Sequence, residues 1–198
     1  MKFIDVEQGS PGWLNLRLGK ITATEVPILL KSNPFKTKLE LWEQKLQLRE
    51  PDEVNEKMTR GSKLEEPARL LLCELLGIDF KPAVVINDTH PYLMASLDGL
   101  SPCNRFICEI KCPSSNKKHE LAISNVIPMI YIDQIQTQLL VTGCEKCYYC
   151  SYFPGHDQEI VIIDVYPDLD KQQHIIEISW DFYVDMCTMN EPIEWKMK

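Results

Sequence analysis

Several familiar features are missing from this 198-residue sequence. No apolar run approaches the roughly 18 residues that a membrane-spanning helix needs. The first residues, Met1-Lys2-Phe3-Ile4-Asp5-Val6-Glu7, are too polar for the apolar stretch of a secretory signal. Repeats, low-complexity tracts and Gly/Ser linkers are absent too, so nothing marks a second domain. Together these absences predict one domain over 1–198 and an intracellular, cytoplasmic location. An excess of basic residues is also lacking. The formal net charge is −8, which argues mildly against a partner as acidic as DNA. That argument weakens where acids hold cations, because a bound metal offsets their charge. Positive charge is local, at Lys36/Lys38, Arg60/Lys63 and Lys117/Lys118.

What is present begins with an ordinary globular composition, 44% hydrophobic and 25% charged. There are eight cysteines. With no export signal, reduced thiols are expected. Cys144-x-x-Cys147-x-x-Cys150 has a spacing that metals or iron–sulfur clusters use. If 147–153 is a strand, however, Cys147 and Cys150 point to opposite faces. Small buried hydrophobes are then the stronger reading.

Periodicity predicts helices first, then strands, then a mixture. A helix start is expected near residue 24. There Thr22 with Glu25 fits a capping box, and Pro27 instead favours Thr24 as the cap. Helices are predicted over about 37–48 and 53–76, the second with apolar spacing at Val54, Met58, Leu64, Ala68, Leu71 and Leu75. Gly77 ends it. Strands are predicted over 83–86, 93–96 and 106–112. A helix opened by Pro128 runs through Val141 to a stop near Gly143. Strands over 147–153 and 159–166 follow, then a helix over about 169–189 with Ile175, Ile178, Phe182 and Met186 on one side. The fold class is α/β (α+β), a central mixed sheet flanked by helices.

The segment Phe106-Ile107-Cys108-Glu109-Ile110-Lys111-Cys112 carries the chemistry. In a strand Phe106, Cys108 and Ile110 face a core. Glu109 and Lys111 share the other face, roughly 7 Å apart along the chain. Upstream, Ala95-Ser96-Leu97-Asp98-Gly99-Leu100 is expected to end a strand in a tight turn, with Gly99 freeing the backbone. If the two strands pair as a hairpin, Asp98 meets Glu109. Two carboxylates with a backbone carbonyl and waters suit Mg²⁺. Such an ion polarises a phosphoryl group and generates hydroxide.

An acid-x-Lys element alone is weak evidence. The chain holds three: Glu43-Gln44-Lys45, Glu109-Ile110-Lys111 and Glu194-Trp195-Lys196. The first is predicted helical, where positions i and i+2 do not face each other. The third follows Pro192 with no acid-bearing strand before it. Glu65 and Gln134 lie on predicted helices, and each is either the polar border of an amphipathic face or a group aimed into a cleft.

Taken together, these segments resemble the lambda-exonuclease family (the YqaJ-type viral recombinases) within the restriction-endonuclease-like PD-(D/E)XK nucleases. The matching blocks are Trp13-x-x-x-Arg17-Leu18-Gly19-Lys20-Ile21-Thr22-Ala23-Thr24, Gly61-Ser62-Lys63-Leu64-Glu65-x-x-Ala68-Arg69, Ala95-Ser96-Leu97-Asp98-Gly99-Leu100, Glu109-Ile110-Lys111-Cys112-Pro113, and Tyr131-x-x-Gln134-x-Gln136-x-x-x-x-Val141-Thr142. Five ordered blocks are far more specific than one acid-x-Lys element.

The resemblance implies a restriction-endonuclease-like core and a phage-type 5′→3′ exonuclease on double-stranded DNA. Its product would be 3′ single strands for a partner annealing protein. It implies that Asp98, Glu109 and the Ile110 carbonyl bind one or two Mg²⁺ ions (Mn²⁺ able to substitute), and that Glu65 supports a second metal or its waters. Lys111 would orient or activate the attacking water and balance negative charge, and Gln134 would help place the nucleophile or phosphate. A 5′-phosphate pocket maps to Arg17, Thr24 and Ser96, with Trp13 one turn before Arg17. Arginine suits phosphate through bidentate bonds, and a helix N-terminus at Thr24 suits an anion. The plainer alternatives are a solvated Arg17, a simple Thr24 cap and a core Trp13. The family also implies a toroidal homotrimer. Two departures stand out: Thr24 replaces a common serine, and Ser114-Ser115-Asn116-Lys117-Lys118 offers lysines where some members place an arginine. An endonuclease or repair nuclease on the same fold, or a non-catalytic DNA-binding protein, remains the alternative.

Overall fold

A computed structural model describes residues 1–50 and 56–189. The predicted helix start at 53, with Val54, and the element Glu194-Trp195-Lys196 lie outside the described residues.

The middle of the chain builds the sheet. Strand β3 (Lys81–Ile86) runs antiparallel to β4 (Leu93–Leu100), and β4 antiparallel to β5 (Phe106–Lys111). Two helices, α5 (Asn116–Ile123) and α6 (Met129–Thr142), then carry the chain across to β6 (Lys146–Tyr152), parallel to β5. Parallel neighbours require a crossover of this kind. Strand β7 (Ile160–Val165) returns antiparallel to β6. Near the N-terminus, β1 (Lys2–Phe3) extends the edge beside β3. The short β2 (Ile21–Thr22) lies parallel to the first residues of β4.

Helices cover both faces. On one, α4 (Glu56–Leu76) sets Ala68 and Leu72 against Cys108, Ile110, Tyr148 and Cys150. On the other, α2 (Val26–Leu29), α6 and the C-terminal α7 (Leu169–Thr188) bury Ile107, Ile135, Leu139, Cys147, Ile175 and Phe182 in a larger cluster. Cys147 and Cys150 thus lie in separate clusters on opposite faces, as strand alternation requires. Of two more helices, α3 (Lys38–Lys45) packs beside α2, whereas α1 (Pro11–Leu18) sets Trp13 and Leu16 against Val84, Ile86 and Met94. No helix among the described residues is long and apolar enough to cross a membrane.

Four sequence expectations are corrected. The buried stripe of α4 is Ala68 and Leu72 with Cys73 and Leu76 beside them, whereas Leu75 is exposed; packing on the sheet selects one of two nearly equivalent apolar faces. Neither Thr22 nor Thr24 caps α2. Glu25 holds the cap position without a side-chain cap bond, and Thr22 is drawn into β2 by pairing with β4. Gly99 is no turn residue: β4 continues through it to Leu100. A Cβ there would lie 2.5 Å from the Cys108 sulfur and 2.7 Å from the Phe80 Cβ, so glycine is needed for close approach. Finally, the short elements α1, α5, β1 and β2 escaped periodicity, since two strand residues or two helical turns carry too little pattern.

Candidate active site

The site lies where β4 and β5 part. Their ladder ends at Gly99 opposite Cys108, one residue beyond Asp98. β2 takes the same edge of β4 only further back, at Leu93 and Met94. In this fork the Ile110 N–H has no β4 backbone partner, and it donates to Asp98 Oδ2 at 2.7 Å. A strand residue sends its N–H and C=O to the same side, so the Ile110 carbonyl faces the fork as well.

Glu109 lies on the opposite face of β5 beneath α6 and is 1% exposed. Its face is therefore a second interior, which alternation alone does not reveal. Gln134 Nε2 donates to Glu109 Oε1 at 2.7 Å, and Gln138 Nε2 donates to Oε2 at 2.5 Å. Lys111 Nζ pairs with the same Oε1. The lysine also donates to Gln134 Oε1 at 3.3 Å and sits 4.8 Å from the centre of the Tyr131 ring. Burial works against the Lys111 ammonium, but Glu109 and Asp98 outweigh it and raise its pKa.

Glu65 enters from α4 through a shared arginine. Arg69 Nη1 donates to Glu65 Oε1 at 3.3 Å and to the Asp98 carbonyl at 3.2 Å. Burial and the Glu109 charge push Asp98 well above the usual carboxylate range, against the pull of Lys111. Burial raises Glu65 too, with Arg69 opposing and Glu109 adding to the rise. Three carboxylates thus crowd two cations, a strain that a bound cation would relieve. Among the described residues no three acidic, histidine or cysteine side chains already surround one point. Asp98, Glu109, the Ile110 carbonyl and waters form an all-oxygen set of the kind magnesium accepts. These residues fit that ion.

A second cluster sits two residues back along β4. Ser96 precedes Asp98 by two residues, roughly 7 Å along the strand, and the β3–β4 register shifts just beyond it, between Leu97 and Leu100. Trp13 Nε1 donates to Ser96 Oγ at 2.8 Å. The Arg17 guanidinium lies 4.4 Å from the Trp13 ring centre. Arg17 Nη2 donates to Thr24 Oγ1 at 3.4 Å and pairs with Glu25 Oε1 at 3.5 Å. All four residues expected of a phosphate pocket are brought together. Thr24 contributes through its hydroxyl and not as a helix cap. Trp13 meets the plainer reading of a core residue, packing against Val84, Ile86 and Met94, and its indole N–H also holds Ser96.

Three participants were not singled out from sequence. Arg69 and Gln138 each lie four residues after an expected site residue, so helical spacing from Glu65 and Gln134 carried the signal. Arg60 donates to the Cys112 and Pro113 carbonyls at 3.0 and 2.7 Å, tying α4 to the loop after Lys111; only the fold reveals it. Gln136, one of the quoted motif residues, turns away from the site. It donates to the Tyr166 carbonyl and accepts from the Asp168 N–H at the start of α7.

Comparison with known proteins places this geometry among relatives. The alkaline exonuclease LHK-Exo from Laribacter hongkongensis superposes with a TM-score of 0.78 at 26% identity, covering 91% of this chain and 94% of that one. Its complex with dAMP gives 0.79. A phage-related exonuclease from Haemophilus somnus shares the fold, with a TM-score of 0.63 at 14% identity over 87% of this chain and 96% of that one. An uncharacterised protein of Acanthamoeba polyphaga mimivirus is 26% identical over 160 residues, 74% of this chain. The match is 29% of that protein, so the chain spans under a third of its length. Residues 12–145 match the model of the YqaJ-like viral recombinase domain, and the chain belongs to that family.

Proposed function

We propose that the chain is a Mg²⁺-dependent 5′→3′ exonuclease on double-stranded DNA, leaving 3′ single strands for annealing-type recombination. The coarser statement, a nuclease of this family, follows from the family match and the likeness to an alkaline exonuclease. The single observation that carries the finer one is the cluster of Trp13, Arg17, Thr24 and Ser96, whose Ser96 lies two residues before Asp98 on β4. That spacing sets the Arg17 cluster beside the carboxylate cluster, so a held terminal phosphate would leave its neighbouring phosphodiester near Asp98 and Glu109.

In this reading Asp98, Glu109 and the Ile110 carbonyl hold the ion, with Glu65 placing a second ion or its waters. Bound magnesium supplies Lewis acidity and lowers the pKa of water. The protein's own groups do the rest. Lys111, paired with Glu109 and Gln134, orients or activates the attacking water and balances charge building on the phosphate. Gln134 fixes both Glu109 and Lys111 in place. Arg17, stacked on Trp13, meets the 5′-phosphate with Thr24 and Ser96. Three copies closed into a ring around DNA would supply processivity, and sedimentation would reveal a trimer.

The deciding experiment follows end-labelled linear duplex in Mg²⁺, with 5′-phosphate or 5′-hydroxyl ends, beside closed circular DNA. The expected outcome is faster release of nucleotides from the 5′-phosphorylated strand and intact circles. Equal cutting of circles would sink the exonuclease reading in favour of an endonuclease.

A further inference from the structure

The molecule buries one lysine that the proposed chemistry does not use. Lys45, at the end of α3, has a side chain only 3% exposed. An ammonium has three donors, and here each has a partner. Lys45 Nζ donates to the Arg17 carbonyl at 2.6 Å, to the Lys20 carbonyl at 2.6 Å and to Glu25 Oε2 at 2.7 Å. A buried ammonium is costly to desolvate, and burial does lower the Lys45 pKa despite Glu25.

All three partners belong to the stretch that presents Arg17 and Thr24. The Arg17 carbonyl is the backbone of the arginine itself. Glu25 follows Thr24 directly, and its other oxygen lies 3.5 Å from Arg17 Nη2. Glu25 also accepts from the Thr22 N–H at 2.9 Å, which fixes its direction. A carboxylate resting on a phosphate-binding arginine is a competitor for the phosphate. Lys45 answers that competition from the buried side: two cations surround one carboxylate, and the cluster keeps a positive charge facing outward.

We infer that Lys45 is a positioning residue of the Arg17 pocket, offsetting Glu25 so that Arg17 stays available to a terminal phosphate. This rests on the reading of that pocket as the 5′-phosphate site. Removing the Lys45 charge alone leaves Glu25 to occupy Arg17. Removing both charges restores the balance.

The test measures binding of fluorescent duplexes with 5′-phosphate or 5′-hydroxyl ends to the full chain in EDTA, so that turnover plays no part. The readout is the ratio of the two dissociation constants. Wild type should favour the phosphate by at least about tenfold, the size expected of charge-assisted hydrogen bonds. Lys45→Met should bring that ratio below about threefold, and Lys45→Met/Glu25→Gln should regain most of it. Circular dichroism and thermal melting report whether each variant is folded; if Lys45→Met is not, the double variant alone decides, since it must still prefer the phosphate. A folded Lys45→Met protein with wild-type discrimination overturns the inference, as does a folded double variant without it. A wild-type ratio near one overturns the 5′-phosphate reading itself, and this inference with it.

Discussion

In the carboxylate cluster, Glu109 and Asp98 are held tightly by rigid elements. Glu109 is clamped by two glutamines one turn apart on α6, and Asp98 is pinned by a backbone N–H from β5. Around the Arg17 guanidinium itself, contacts are longer and more open, although Trp13 holds Ser96 at 2.8 Å. Arg17 reaches Thr24 and Glu25 at 3.4 and 3.5 Å and is half-buried. The first cluster stores like charge that a cation would neutralise, whereas the second stores opposite charge that an anion would rearrange. Catalysis asks for fixed ligands, while capture of a mobile DNA end tolerates an adjustable grip. On the proposed reading, rigidity follows chemistry, even where the two clusters meet on one strand, β4.

That contrast can be broken first at Lys111. Lys111→Ala should lower Mg²⁺-dependent degradation by about 100-fold or more, since a preorganised charge aimed at the phosphate is lost. Unchanged degradation in an end-labelled assay would remove Lys111 from the chemistry. Gln138→Leu should act more gently, slowing degradation about tenfold and costing about 1–3 kcal/mol in urea unfolding, because the buried Glu109 Oε2 loses its donor. If stability falls while rate holds, Gln138 supports the fold and not the geometry of Glu109.

The smallest effect belongs to the second cluster and depends on pH. Burial opposes the Glu25 charge, but Lys45 and Arg17 outweigh it and hold its carboxyl below the ordinary value of 4.5. A depressed carboxyl pKa adds stability above the unfolded value, and that stability is lost as pH falls through the folded one. The stability difference between wild type and Glu25→Gln should therefore be greatest near neutrality and shrink as pH drops below 4.5. A difference that stays flat on acidification would show that the ion pair contributes no stability.

Much of the site was legible along the chain, and the reasons are local. Strand alternation set Glu109 and Lys111 on one face. Order along the chain brought Asp98 before them and Gln134 after. The α3 capping box of Thr37 with Glu40 and the left-handed Gly143 that stops α6 are likewise rules of a few residues. Glu43-Gln44-Lys45 was set aside because helical residues two apart do not face each other. In the structure Lys45 indeed turns from Glu43, but toward Glu25, twenty residues earlier, a pairing that no local rule contains.

The sequence by itself determined the chemical parts and their order: three acids, one lysine, one glutamine and one arginine, with Glu65, Glu109, Lys111 and Gln134 on elements of the right type. Only the tertiary structure decided what surrounds them. It placed Glu109 in an interior, turned Gly99 from a supposed turn residue into a point of close strand contact, and joined Arg69, Gln138 and Lys45 to the two clusters. The physical reason is that hydrogen bonding and periodicity act over a few residues. Burial and ion pairing join whatever the packing of distant segments brings within reach, and those distances do not exist until the sheet has closed around them.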